Sequence, residues 1–225
     1  MIVFPRTHLD EAEARVRGVA AGQAALVERV AAHVHPGGPA PVAPGPEALL
    51  DAARQLGREV TAAARVVSRS EEACRWNPAG QRGRATAERL GAAIPVLEMV
   101  ERQVRGMARA VTEAGPGWSL PSRPSQALAR LLHEVAAELE AWNPLGNPDQ
   151  PDHPTPAAEG LGEAENGLYG AVLGSLRGSG LTPHAAALVT AIAVDARRIR
   201  EELSWRPSPE IRARGWRSLF DEGTV

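Results

Sequence analysis

The sequence predicts an all-α fold, an antiparallel bundle of about six helices with long, coiled-coil-like members. Three observations carry that expectation. Aromatic residues make up only 4% of the 225-residue chain, a thin supply for a sheet-based core, while Ala, Leu, Val, Arg and Glu dominate and are mostly strong helix formers. Two long segments repeat apolar residues in alternating steps of four and three, which keeps one narrow face toward a partner helix. Stretches rich in Pro and Gly, near 36–46, 115–124 and 143–156, interrupt the helical pattern, because proline removes a donor and blocks the preceding turn.

The first predicted helix runs from about His8 to Val34, with Thr7 as N-cap and Asp10 and Glu11 in its first turn. Its apolar stripe includes Leu9, Val16, Val19, Leu26 and Val30. The second spans Glu47 to Trp76 on the seam Leu49, Ala53, Leu56, Val60, Ala63, Val67, Ser70, Cys74, and stops at Trp76-Asn77-Pro78. The third follows the polar Ala79–Arg84 stretch and reaches Ala114 on the seam Ala93, Leu97, Val100, Val104, Met107, Val111, with Pro95 expected to kink or open it. A short loop joins these two long helices, so antiparallel packing is expected.

The fourth helix is read as Ser125 to Trp142, with Ser125 as N-cap and Leu128, Leu132, Val135 and Leu139 on one face. It stops on a second Trp-Asn-Pro, and the reading preferred to a duplication is that each Trp staples a last turn before an Asn-Pro stop. The fifth, Ala157 to about Arg177, is burdened by Gly160, Gly162, Gly167, Gly170 and Gly174, at about 1 kcal/mol each against Ala. The sixth runs from Pro183, behind Thr182, to Leu203 on the face Ala185, Val189, Ile192, Ala196, Ile199. Residues 1–203 read as one all-helical domain, since a chain of this size needs no second core. Residues 204–225 form a C-terminal tail whose piece Ile211–Phe220 is expected to dock on the bundle or to touch lipid.

Charge and residue usage exclude several classes of function. The formal net charge is −2, whereas nucleic-acid-binding domains carry a basic excess. No Lys occurs, which removes a Walker-type loop and Schiff-base chemistry. One cysteine cannot form an internal disulfide, so a reducing compartment is expected. The longest membrane-like run, Ala185 to Val194, reaches about half the ~20 residues of a span. Met1–Phe4 is too short for a signal peptide.

Few residues carry a chemical signal. His33 and His35 have the spacing of two metal ligands, but a position at a helix C-terminus reads better as a dipole contact. His133, Glu134 and Glu138 read as a solvated face, since no partner Glu-x-x-His motif accompanies them. Cys74 lies on an apolar seam and reads as a buried small hydrophobe, although Arg75 beside it would favour a thiolate. Arginines gather at Arg65 and Arg69, at Arg82 and Arg84, and at Arg197, Arg198 and Arg200. Glu98–Arg102 and Glu101–Arg105 have the i,i+4 spacing of solvated pairs. No catalytic, cofactor-binding or metal-binding residue is assigned, no cofactor is expected, and the chain is read as non-enzymatic.

The N-terminus, Ile2-Val-Phe-Pro-Arg6, has the look of a transmembrane helix emerging on the arginine-bearing side, or of a cluster that folds back on the bundle. Together with Glu71-Glu-Ala-Cys-Arg-Trp-Asn-Pro78, the Leu97–Arg109 helix and the closing Asp195–Leu203 helix, it resembles the cytoplasmic region of bacterial aromatic acid exporters, the fusaric-acid-resistance (FUSC-type) family. The resemblance covers about residues 1–203. It implies a helical domain on the cytoplasmic face of the inner membrane that acts in assembly or gating. The chain departs from the family in having no membrane span, so transport by this polypeptide alone is not expected. The expected partners are a second copy of the chain or a membrane-embedded segment, with inner-membrane surface contact and no nucleic acid. Beside this reading stand a free-standing soluble cytoplasmic module that oligomerises through the Leu49–Cys74 seam, and an arginine-lined pocket for aromatic carboxylates.

Overall fold

The computed structural model describes residues 8–35, 45–76, 81–115, 118–146, 156–178 and 180–204, apart from the side chains of 81–82 and 156–162. The segments Ile2–Arg6, Asn77-Pro78 and 205–225, and the expected cap Thr7, lie outside them. Among the described residues the chain forms α1 (Leu9–Val34), α2 (Pro46–Trp76), α3 (Gln81–Ala114), α4 (Ser122–Ala141), α5 (Pro156–Arg177) and α6 (Pro183–Ser204). The fold is an all-α bundle.

Several helix starts move from where the sequence places them, each for a local reason. Pro46 and Pro156 are first helical residues, one position earlier than expected, and Pro183 is one as expected; at such a position a missing N–H costs nothing and the fixed φ is already helical. α4 starts at Ser122, before Pro124, because a proline in the first turn has no i−4 bond to lose. α3 starts at Gln81, inside the stretch read as a polar break, and continues through Pro95 without interruption. Gly115, at φ 79°, ends α3 in the left-handed conformation that glycine tolerates. Thr182 caps α6, its Oγ1 accepting from the Ala185 N–H at 3.1 Å.

Cross-helix contacts give the directions. Ser70 reaches the His8 carbonyl, Gly22 faces Leu56, and Arg29 reaches the Ala48 carbonyl, so α1 and α2 are antiparallel. Cys74 lies beside Gly83, Glu71 beside Gly91, and Gly57 beside Glu101, so α2 and α3 are antiparallel as well. Leu9 against Gly83 and Gln23 against Leu97 make α1 and α3 parallel. These three helices contact one another, as do α4, α5 and α6, and the two groups join through α1–α4 and α3–α6. One core takes residues from all six helices, including Val30, Leu49, Val104, Leu132, Leu168 and Ile192. Because α1–α3 are longer than α4–α6, a second cluster of Val16, Val60, Val67, Leu90 and Leu97 fills the end formed by those three, with Trp142 and Leu145 packed against it.

Every position of the α2 and α3 seams is buried. The Leu49–Cys74 seam is therefore covered within the chain and offers nothing to an oligomer partner. Trp76 corrects another expectation: at 71% exposed its ring staples nothing, whereas Trp142 packs against both clusters. The two helix-end tryptophans thus differ in their surroundings.

Gln23 is fully buried in the α1–α3 contact, its Nε2 donating to the Leu97 carbonyl at 2.8 Å. Its Oε1 has no hydrogen-bond partner among the described residues. One net hydrogen bond contributes about 1 kcal/mol, and an orphaned buried acceptor costs about 1–3 kcal/mol. Gln23→Met, which keeps the side chain's length and removes both, is expected to leave stability unchanged or raise it by about 1 kcal/mol. Urea unfolding checks this; a clear loss would show that the bond outweighs the orphan.

Candidate functional site

The arginine-rich faces of α2 and α3 meet in an open groove of about 570 Å³, lined by Arg54, Arg58 and Arg65 from α2 and by Glu101, Arg102 and Arg105 from α3. Its floor is the contact between Glu101 and Arg105. Glu101 is only 7% exposed, so this pair is not the solvated one that its spacing predicts. The reason is α2: a Cβ at Gly57 would lie 2.7 Å from Arg105 Nη2 and 3.1 Å from Glu101 Oε1, so a glycine lets the helix backbone close over the pair. The Nε of Arg105 is buried with no hydrogen-bond partner among the described residues. Glu98 and Arg102 are not paired as expected either; Arg102 turns to the Met99 sulfur. Arg54 is held by Asp51 at 2.7 Å, and Arg58 donates to Gln55. Guanidinium edges grouped in this way suit a planar carboxylate or a phosphate.

The other arginine groups do not converge on this groove. Arg84 pairs with Glu88 at 3.0 Å and Arg197 with Glu201 at 2.9 Å. Arg198 lies beside Asp195, and Arg200 beside Glu138. Among the described side chains of the arginine clusters read from the sequence, only Arg65 lines the groove.

Two histidines make contacts between helices. His35 Nδ1 lies 2.8 Å from Ser125 Oγ, which donates in turn to the Val34 carbonyl at 2.9 Å. Since the serine's proton is committed to that carbonyl, the facing histidine nitrogen carries a hydrogen and is no base for the hydroxyl. Ser125 is therefore not the N-cap of α4, a place taken by Pro121; it closes the end of α1 onto α4. His133 meets Glu28 of α1 at 2.7 Å, a cross-helix contact on a face that is solvent-exposed as expected. Among the described residues no group of three or more His, Cys, Asp or Glu is placed to hold a metal ion. Cys74 is buried, and burial pushes its thiol pKa up, away from a reactive thiolate.

Two half-buried carboxyls, Glu138 on α4 and Asp195 on α6, have pKa values raised by burial, with Arg200 and Arg198 respectively pulling them partly back. Such groups bind protons more tightly folded than unfolded. Their stabilisation is full below the unfolded pKa, about 4, and is lost as pH rises through the folded value. Asp195→Asn keeps the shape and removes the titration. It is expected to match the parent protein near pH 4 and to be more stable at pH 7, as urea midpoints across that range would read. An offset that is the same at both pH values would remove the argument.

One feature escaped sequence reasoning. Tyr169, Leu173 and Leu176 of α5 are 49%, 53% and 41% exposed, in steps of four and three, and Val194 of α6 is exposed as well. The spacing was present in the sequence, but the intervening glycines masked it.

Fold and surface together define an all-α bundle with an arginine-lined groove and an apolar edge. No helix among the described residues is long and apolar enough to cross a membrane. No family model, curated protein or solved structure matches the chain.

Proposed function

We propose that this chain is a non-enzymatic helical domain of an exporter-like membrane transport protein of the aromatic acid exporter type, acting in assembly or gating at the cytoplasmic face of the inner membrane. The observation that supports an assembly role is the exposed stripe of Tyr169, Leu173 and Leu176, on a helix whose opposite face is docked on α4. Contiguous exposed apolar side chains mark interaction surfaces. The core shared by all six helices lets the bundle move as a unit. The test is the DNA upstream of the Met1 codon. Several apolar spans encoded in frame are expected; a stop codon directly upstream, followed by a ribosome-binding site, overturns the reading.

A second reading, an anion-responsive module, is favoured by the α2–α3 groove. Calorimetric titration with aromatic carboxylates tests it: binding that weakens in Arg105→Gln supports it, and absence of heat dismisses it.

A further inference from the structure

We propose that the α2–α3 groove is a site for a phosphate monoester, whose dianionic head is held between Arg58 of α2 and Arg102 of α3. The inference rests on the anion-responsive reading above and names the anion. Five arginines and two glutamates line the groove, a local excess of positive charge on a chain whose formal net charge is −2. Arg54 is answered by Asp51, and Arg105 by Glu101. Arg58 and Arg102 have no carboxylate partner. Arg58 gives its Nε and Nη2 to the amide oxygen of Gln55, and Arg102 turns to the Met99 sulfur, both neutral acceptors. Glu59, next to Arg58 in the chain, accepts from Gln55 and faces Gly22 of α1 instead.

These two guanidiniums come from opposite walls of the groove at one level. Gly57 lies against Glu101 and Arg105, and Gly91 against Glu71, an antiparallel register that sets Arg58 level with Arg102. The same register sets Arg65 level with Glu98, which also lines the groove. Like charges facing each other across a groove repel, and an anion between them replaces one repulsion with two attractions. The head group follows from that geometry. A monocarboxylate has one charge and one planar edge, which suits a single guanidinium fork. A phosphate monoester carries nearly two charges at pH 7 and three acceptor oxygens, so it can accept from forks on both walls. The groove, at about 570 Å³, leaves room for the organic group beyond the phosphate.

The test is calorimetric titration of the full chain, at low salt, with phenyl phosphate and with benzoate, which share a ring and differ in the head. Phenyl phosphate is expected to bind about tenfold more tightly than benzoate at about pH 7.5. It should bind several-fold more weakly at about pH 5, where it has lost its second charge while the guanidiniums keep theirs. Arg58→Gln and Arg102→Gln, both at exposed positions, are expected to stay folded by circular dichroism. Each should weaken phenyl phosphate about tenfold, through loss of one charge-assisted contact, whereas Arg65→Gln should change it by less than about twofold. Phosphatidylcholine vesicles containing phosphatidic acid carry the same head at a surface and separate the two sources. Co-sedimentation that is lost in Arg58→Gln assigns a lipid, and phenyl phosphate binding without co-sedimentation assigns a soluble ester. No binding to either phosphate probe, binding indifferent to Arg58→Gln or to Arg102→Gln, or benzoate bound as tightly as phenyl phosphate overturns the proposal. Benzoate binding that weakens in Arg105→Gln, with no preference for phosphate, would keep the anion-responsive reading and remove this inference. Phenyl phosphate binding without benzoate binding would keep this inference and remove the aromatic carboxylate as ligand.

Discussion

Leu97→Ala is expected to lower the unfolding free energy by about 3–4 kcal/mol, within the range for buried Leu→Ala changes. Leu97 is 0% exposed and belongs to the cluster that α1, α2 and α3 form at their own end of the molecule. Its loss leaves a cavity between long helices. Collapse is resisted there because Gln23 ties α1 to the backbone of Leu97 itself, so the cavity term adds to the lost transfer energy. A loss of that size is a large fraction of a typical stability of about 5–15 kcal/mol. It moves a urea midpoint by more than about 1 M for a slope of about 2 kcal/mol per M. Trp76→Ala is the contrast: a larger side chain, 71% exposed, whose removal is expected to change stability by no more than about 0.5 kcal/mol. Equal effects from the two variants would contradict the burial pattern on which the fold rests.

Gly106→Leu is expected to be the next most damaging change. Gly106 of α3 faces Asp195 of α6, and a Cβ there would lie 3.2 Å from the Asp195 Cγ, with one carboxylate oxygen nearer still. A leucine has no space in this notch without parting α3 from α6, the contact that joins the two halves beside Met107 and Ile199. Overpacking of this kind costs about 3 kcal/mol, offset by about 1 kcal/mol of improved helix propensity, which leaves a net loss of about 2 kcal/mol. The cause can be isolated. In an Asp195→Ala background the same substitution should lose less than half as much, because the obstructing carboxylate is gone. An undiminished loss would locate the clash elsewhere and break the assigned α3–α6 contact.

The seams of α2 and α3 were legible residue by residue because a coiled-coil repeat is a local property: each position follows from those three and four before it. The four buried leucine and valine positions of α4, and Ala185 through Ile199 of α6, were legible for the same reason. The misplaced features depend on what lies opposite. Ser125 is typical of a helix cap, but its hydroxyl serves the Val34 carbonyl 91 residues away. Glu101 and Arg105 have the spacing of a solvated pair, yet Glu101 lies buried under the half-exposed Arg105 because Gly57 of α2 admits them. Trp76 looks like a staple, but its side chain is largely exposed. The arginine groove has the same origin, since Arg58 and Arg105 acquire a common purpose only where two faces meet.

The sequence by itself determined that this protein is an all-α bundle, where most of its helices run, and which side of each long helix is apolar. These follow from propensity and period, which act over a few residues. The tertiary structure alone decided that the Leu49–Cys74 seam is spent inside the chain while the equivalent spacing on α5 stays uncovered. It also decided which charged groups are held between helices and which stand in water. The physical reason is that periodicity names a face, whereas burial needs a second surface, supplied here by segments tens of residues distant.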